Sequence, residues 1–213
     1  MYAPGLFFIE VIMQTAFLID GFNFYHSIKG LGQRLLWFDY TAYCKHFMSS
    51  TDTLHSVTYF TALASWRGGE AVTRHQVFID ACKASGIEVI LGKFKEKTAI
   101  CRNCHFTIKK HEEKATDVNI ALRAYQLAVK QEAGQIVLVT GDTDLIPAIQ
   151  MIKADFPAVR VGVVFPYNRS TKELQQAAHF HHSTKAEILQ RFQLPDKIKK
   201  PNGKTLTRPA AWI

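Results

Sequence analysis

The chain has 213 residues, 47% of them hydrophobic, which suits one α/β core with appendages better than two full domains. Its net charge of +8 is unevenly spread: residues 93–114 carry seven Lys/Arg against three Glu, residues 191–213 carry six against one Asp, and the remainder sums to −1. No apolar run reaches the roughly 18 residues needed to cross a bilayer and the four cysteines form no extracellular-type framework, so a membrane protein and a disulfide scaffold are excluded and a reducing cytoplasm is expected.

The first fourteen residues, MYAPGLFFIEVIMQ, are apolar but have no basic start and no small-residue cleavage site, so they read as an N-terminal extension (1–14) rather than a signal peptide. Met13 stands just before the first core strand, which makes residues 1–12 an upstream-start extension by this reading. Strand-like apolar runs follow at 15–20, 55–63, 87–94, 135–140 and 159–165, and helical periodicity at 39–49, 69–85, 115–132, 143–154 and 184–191. That alternation predicts a parallel sheet covered on both faces, a main domain over 15–191. In the 115–132 segment Val118, Leu122, Tyr125 and Val129 recur three or four apart, which predicts the face that packs on the sheet, with Thr116 as the cap.

Residues 93–114, KFKEKTAICRNCHFTIKKHEEK, break the pattern as an expected β-hairpin insert tipped by CxxC. Cys101 and Cys104 have half the spacing of a zinc ribbon; His105 and His111 could complete a Zn²⁺ site, or the pair tightens the hairpin tip or bridges to a partner chain. Cys44 and Cys82 read as core residues, and His179, His181 and His182 as ordinary histidines of a short strand. The stretch 192–213 has three prolines and reads as a basic arm anchored by Leu194, Ile198, Leu206 and Trp212, or as a flexible basic tail.

Four carboxylates carry the chemistry. TAFLID places Asp20 at a strand's carboxyl end, followed by Gly21 for the turn and Asn23 one helical turn on; capping of the next helix is the structural alternative for Asp20 or Asn23. IVLVT then GDTD places Asp142 and Asp144 after a second buried strand, and capping needs only one of them. Asp117 falls in the first turn of its helix, where negative charge is common for dipole reasons alone. Like charges crowded at one sheet edge are costly unless a cation neutralises them. Thr140 and Thr143 can orient ligands or water, or serve strand propensity and capping. Beside such a pocket, a basic hairpin and arm fit a polyanionic substrate.

LIDGFNFY, HEEKATDVNIAL and VLVTGDTDLIPAI, in that order, resemble the NYN domain, a branch of the PIN-like ribonuclease superfamily that includes the bacterial LabA/DUF88 proteins. VGVVFPYNRSTKELQQAA is similar to that family's last strand and helix, and LPDKIKKPNGKTLTRPAAW to the tail of a bacterial subgroup. The resemblance implies a PIN-like three-layer α/β sandwich with a central mainly parallel sheet. It also implies a metal-dependent endoribonuclease with Mg²⁺ or Mn²⁺ on Asp20, Asp117, Asp142 and Asp144, Asn23 accessory, and RNA as partner. Lys114 and Arg169 read as phosphate contacts or as ordinary surface charge, and Tyr25, Phe22, Phe24 and Trp66 can stack on unpaired bases, although core packing suits Phe22 and Phe24 better. The alternative is a non-catalytic nucleic-acid or nucleotide-binding regulatory module, with self-association left open. A haloacid-dehalogenase-type phosphatase would need a second Asp two residues after Asp20, where Phe22 stands.

Overall fold

The computed structural model describes residues 13–100, 103 and 107–213; Cys101, Cys104 and His105, and with them the zinc expectation, lie outside the described residues. Six parallel strands form the central sheet: β1 (Gln14–Asp20), β2 (Thr53–Thr61), β3 (Glu88–Leu91), β6 (Gln135–Val139), β7 (Arg160–Phe165) and β8 (Phe180–Ser183). Their spatial order is β3-β2-β1-β6-β7-β8. The chain thus winds outward from β1 in one direction and from β6 in the other, and the crevice at the carboxyl ends of β1 and β6 is the topological switch point, where open parallel sheets place their sites.

Strand alternation divides the interior into two layers. Phe17 and Ile19 of β1 join Val137 and Val139 of β6 on one face, covered by α1 (Gly21–Ile28), α2 (Tyr40–His46) and α3 (Gly69–Ala84). Ala16 and Leu18 join Ile136 and Leu138 on the other, covered by α4 (Thr116–Val129), α5 (Ile146–Asp155) and α6 (Lys172–Ala177). The result is the expected three-layer α/β sandwich. Phe180 to Ser183 form the short strand anticipated around the histidines, and Cys44 and Cys82 are fully buried.

Several expected boundaries move for physical reasons. The run 87–94 is two strands, because Gly92 donates its N–H to the Thr61 carbonyl and then leaves the sheet; β4 (Lys93–Ile100) pairs antiparallel with β5 (Thr107–Lys114) as the expected hairpin. The segment 143–154 opens as a 3-10 turn at Thr143–Leu145, and α5 begins only at Ile146, with a proline in its first turn. Thr116 is not the cap of α4: Ala115 holds that position with φ 74°, and the Thr116 hydroxyl donates to Glu113 instead.

The face of α4 is also corrected. Val118, Leu122 and Val129 are 59%, 64% and 53% exposed and of the expected face Tyr125 alone packs partly against the core, while Ile120, Ala124, Leu127 and Ala128 pack on the sheet. The buried stripe carries small alanines that let the helix approach closely, and Asp117, one turn before Ile120, stands exposed at the helix's N-terminal end. Residues 192–213 lie against the first layer: Leu194 is buried, Ile198, Leu206 and Trp212 pack on the core, and β9 (Lys197–Lys199) pairs with β10 (Thr205–Thr207). No helix among the described residues is long and apolar enough to cross a membrane.

Candidate active site

Asp20 closes β1 with only 4% of its surface exposed. One carboxylate oxygen accepts the Asn23 backbone N–H at 2.9 Å and so caps α1; the other accepts the Thr140 hydroxyl at 2.9 Å. Capping and site placement are therefore both realised by one side chain. The Thr140 hydroxyl accepts the Asp142 N–H at 3.0 Å, and the Asn23 side-chain oxygen accepts the Gly141 N–H at 3.2 Å. Asn23 and Thr140 thus stitch the ends of β1 and β6 together and fix the turn that carries Asp142.

That turn admits no side chain at its glycine. A Cβ on Gly141 would stand 2.2 Å from the Arg169 carbonyl oxygen, a backbone atom with no rotamer to escape into. Gly141→Ala is expected to destabilise the protein by about 1–3 kcal/mol and to weaken divalent-ion binding by displacing Asp142. Urea melts with and without Mn²⁺ measure both effects, and a variant as stable as wild type would show that the turn yields.

Asp117 stands in the first turn of α4, exposed at the cleft, and Asp142 is half-buried. Asp20, Asp117 and Asp142 each offer a carboxylate oxygen such that these atoms all lie within 4.8 Å of one another. Three hard oxygen donors at that spacing suit a Mg²⁺- or Mn²⁺-type ion. Asp144 is exposed and outside this group; its backbone N–H donates to Asp142 at 3.0 Å, so Asp142 caps the 3-10 turn and Asp144 is left at the lip. Burial pushes the Asp20 carboxyl up to about 6 against the pull of its two hydrogen bonds, with Asp117 and Asp142 adding repulsion. Asp117 is likewise raised, by burial and then by Asp142 and Asp144.

Sequence reasoning missed Glu113. In the hairpin register Phe94 faces Glu113 and Glu96 faces His111, so these residues share the hairpin's inner face, and Glu113 lines the acidic cleft with Asp20, Asp117 and Asp142. Burial, then Asp20 and Asp117, push its carboxyl up to about 7, although the Thr116 hydroxyl opposes this. The only signal was its place four residues before Asp117, which means nothing without the hairpin register.

Lys114 also lines the cleft, where its ammonium lies 2.9 Å from Glu112; Arg169 and Thr143 are exposed near the Gly141 turn. Phe24 is wholly buried, as expected, but Phe22 is 46% exposed and lines the cleft's edge, which corrects its assignment to the core. Beyond Phe22 and His111 lies a second cavity of about 390 Å³, lined by aromatic side chains from α1, β2, α3, the hairpin and the arm.

A doubly wound sheet with three carboxylates converging at its switch point defines an α/β domain whose acidic residues could hold a divalent cation. Residues 14–186 match the NYN domain model, and the chain belongs to that family, whose fold is of the nuclease type. The 6-hydroxy-3-succinoylpyridine 3-monooxygenase HspA of Pseudomonas putida is 33% identical over 94% of this chain and 75% of its own length. A crystal structure of a protein of unknown function from Vibrio parahaemolyticus shares the fold at a TM-score of 0.55 and 18% identity, covering 87% of this chain and 98% of that one.

Proposed function

We propose that this protein is a metal-dependent endoribonuclease that hydrolyses RNA phosphodiester bonds. The observation that carries the reading is the convergence of Asp20, Asp117 and Asp142 within 4.8 Å at the switch point of a nuclease-type fold. When bound there, Mg²⁺ or Mn²⁺ supplies Lewis acidity and an acidified water. The chain's own residues do the rest. Thr140 and Asn23 hold Asp20 and the Asp142 turn in register, and Glu113, raised to about 7, is positioned to take up and return a proton near neutral pH. Lys114 and Arg169 contact flanking phosphates, Asp144 and Thr143 bound the lip, and the basic hairpin and the arm 192–213 guide the strand. In this reading the extension is 1–14 and the catalytic domain 15–191, acting in the cytoplasm.

The test is cleavage of a mixed RNA pool with Mn²⁺ or Mg²⁺. Wild type is expected to cleave and Asp142→Asn to lose at least about 10²-fold; equal residual cleavage in both would undo the catalytic assignment. Retention of RNA without metal-dependent cleavage would instead point to the binding-module alternative. A second reading, oxygenation of a heteroaromatic acid, draws on the name of the Pseudomonas putida relative and on the aromatic cavity beside the acidic cleft. Dioxygen uptake on addition of 6-hydroxy-3-succinoylpyridine together with a two-electron donor such as a reduced nicotinamide, which reduces the second oxygen atom to water, would favour it over hydrolysis.

A further inference from the structure

The aromatic cavity touches the acidic cleft through two shared residues, Phe22 and His111. Its walls are organised as stacking surfaces. The Trp66 indole and His111 imidazole lie parallel, 3.9 Å apart at 4°, and Phe94 meets Trp66 edge-on at 4.4 Å and 76°. Such an arrangement costs hydrophobic burial: Phe22, Tyr25 and Trp66 stay 46%, 37% and 38% exposed at the cavity, although each is large enough to repay full burial. The volume of about 390 Å³ lies in the range of small-molecule sites and exceeds ordinary packing voids.

Polar side chains, among them Gln33, Thr61 and His75, are interspersed with these rings. Thr61 and His75 bond to each other at 3.2 Å at one wall, and burial holds the His75 ring toward its neutral form. Arg67 and Arg74 also line the cavity and give it positive charge. The hairpin's inner face supplies Phe94 and His111 to this cavity and Glu113 to the cleft, so one β-ribbon forms the wall of both.

We propose that the cavity is a binding site for a planar heteroaromatic ring whose anionic substituent reaches past Phe22 and His111 into the acidic cleft. Two sources share this chemistry: the unpaired base of a ribonucleotide whose phosphate lies at the carboxylates, or a free heteroaromatic acid. The placement of the anion rests on the metal reading given above; the ring site rests on the aromatic geometry alone. Stacking on aromatic side chains is tolerant of ring identity, which fits a site with several π-faces.

Isothermal titration calorimetry of the full chain separates these points. In EDTA, one arm uses adenosine and uridine monophosphates and the other 6-hydroxynicotinic acid. Saturable binding of either class is expected for wild type, with a loss of about tenfold or more in Trp66→Ala and a similar loss in Val72→Trp, which fills the cavity from α3; circular dichroism confirms folding of each. Nucleotide binding without acid binding assigns a base, and the converse assigns a free acid. No saturable binding in either arm with or without Mn²⁺, or binding that ignores both substitutions, would overturn the ring site. Repeating the titration with Mn²⁺ tests the other half: ring binding that Mn²⁺ does not strengthen removes the metal reading while leaving the cavity's assignment standing.

Discussion

Asp20→Asn is expected to raise the melting temperature of the metal-free protein at pH 8 while lowering metal-dependent cleavage at least about 10²-fold and abolishing stabilisation by Mn²⁺. The two effects have one cause. Asp20 is 4% exposed, and its carboxyl is pushed from 3.8 to about 6, first by burial and then by Asp117 and Asp142. Holding it ionised at alkaline pH costs up to about 3 kcal/mol, the value of a two-unit displacement, and the amide removes that cost. Asparagine keeps an acceptor for the Asn23 N–H, so the cap on α1 survives, and the Thr140 hydroxyl can rotate to accept from the new amide. A gain of about 1–3 kcal/mol corresponds to several degrees in a domain of this size. Differential scanning calorimetry with EDTA and with Mn²⁺ measures it. A less stable apo variant would make Asp20 a structural cap first, and retained cleavage would remove it from the metal site.

This opposition between stability and function explains which parts of the site could be read from the sequence. Asp20 and Asp142 were legible because each follows a strand buried on both faces, whose unbroken apolar run marks the sheet's carboxyl edge. Asp144 looked equivalent to Asp142 because both follow the same strand, yet a tight 3-10 turn separates them: Asp142 bends back to cap it and Asp144 faces outward. Asp117 seemed the weakest and is one of the three. Helix α4 carries two interleaved apolar stripes, and the larger residues, Val118, Leu122 and Val129, suggested the wrong one. The stripe of Ile120, Ala124, Leu127 and Ala128 packs because alanines permit a close approach, and it brings Asp117 to the sheet edge with it. Glu113 and the aromatic cavity depend on the hairpin's register and on side chains from elements far apart in the chain, long-range relations that no local pattern encodes.

Glu113 sets the second large expectation, which concerns pH. Asp20 and Glu113 have folded-state values of about 6 and about 7 against ordinary values of 3.8 and 4.5, so between pH 4 and pH 7 these two carboxyls bind more protons in the folded protein than in the unfolded chain. Their contribution to stability is therefore fully present below about pH 4 and is lost as pH rises through 6 and 7, with Asp20 alone accounting for up to about 3 kcal/mol. Histidines act with the opposite sign: burial lowers His75 first of all, and His26, His179 and His182 are lowered too, so protonation of the unfolded chain penalises folding at acid pH. The raw melting curve sums both, and the informative quantity is wild type minus variant. In EDTA, the stability of wild type relative to Asp20→Asn and to Glu113→Gln is expected to fall from pH 5 to pH 8, with the Glu113→Gln difference changing at the higher pH. Saturating Mn²⁺ favours the ionised carboxylates, so the wild-type gain from Mn²⁺ grows over the same interval. A Mn²⁺ gain independent of pH would mean that the ion does not meet these carboxylates. A flat Glu113→Gln difference would mean that Glu113 is ionised throughout and carries no proton for the reaction.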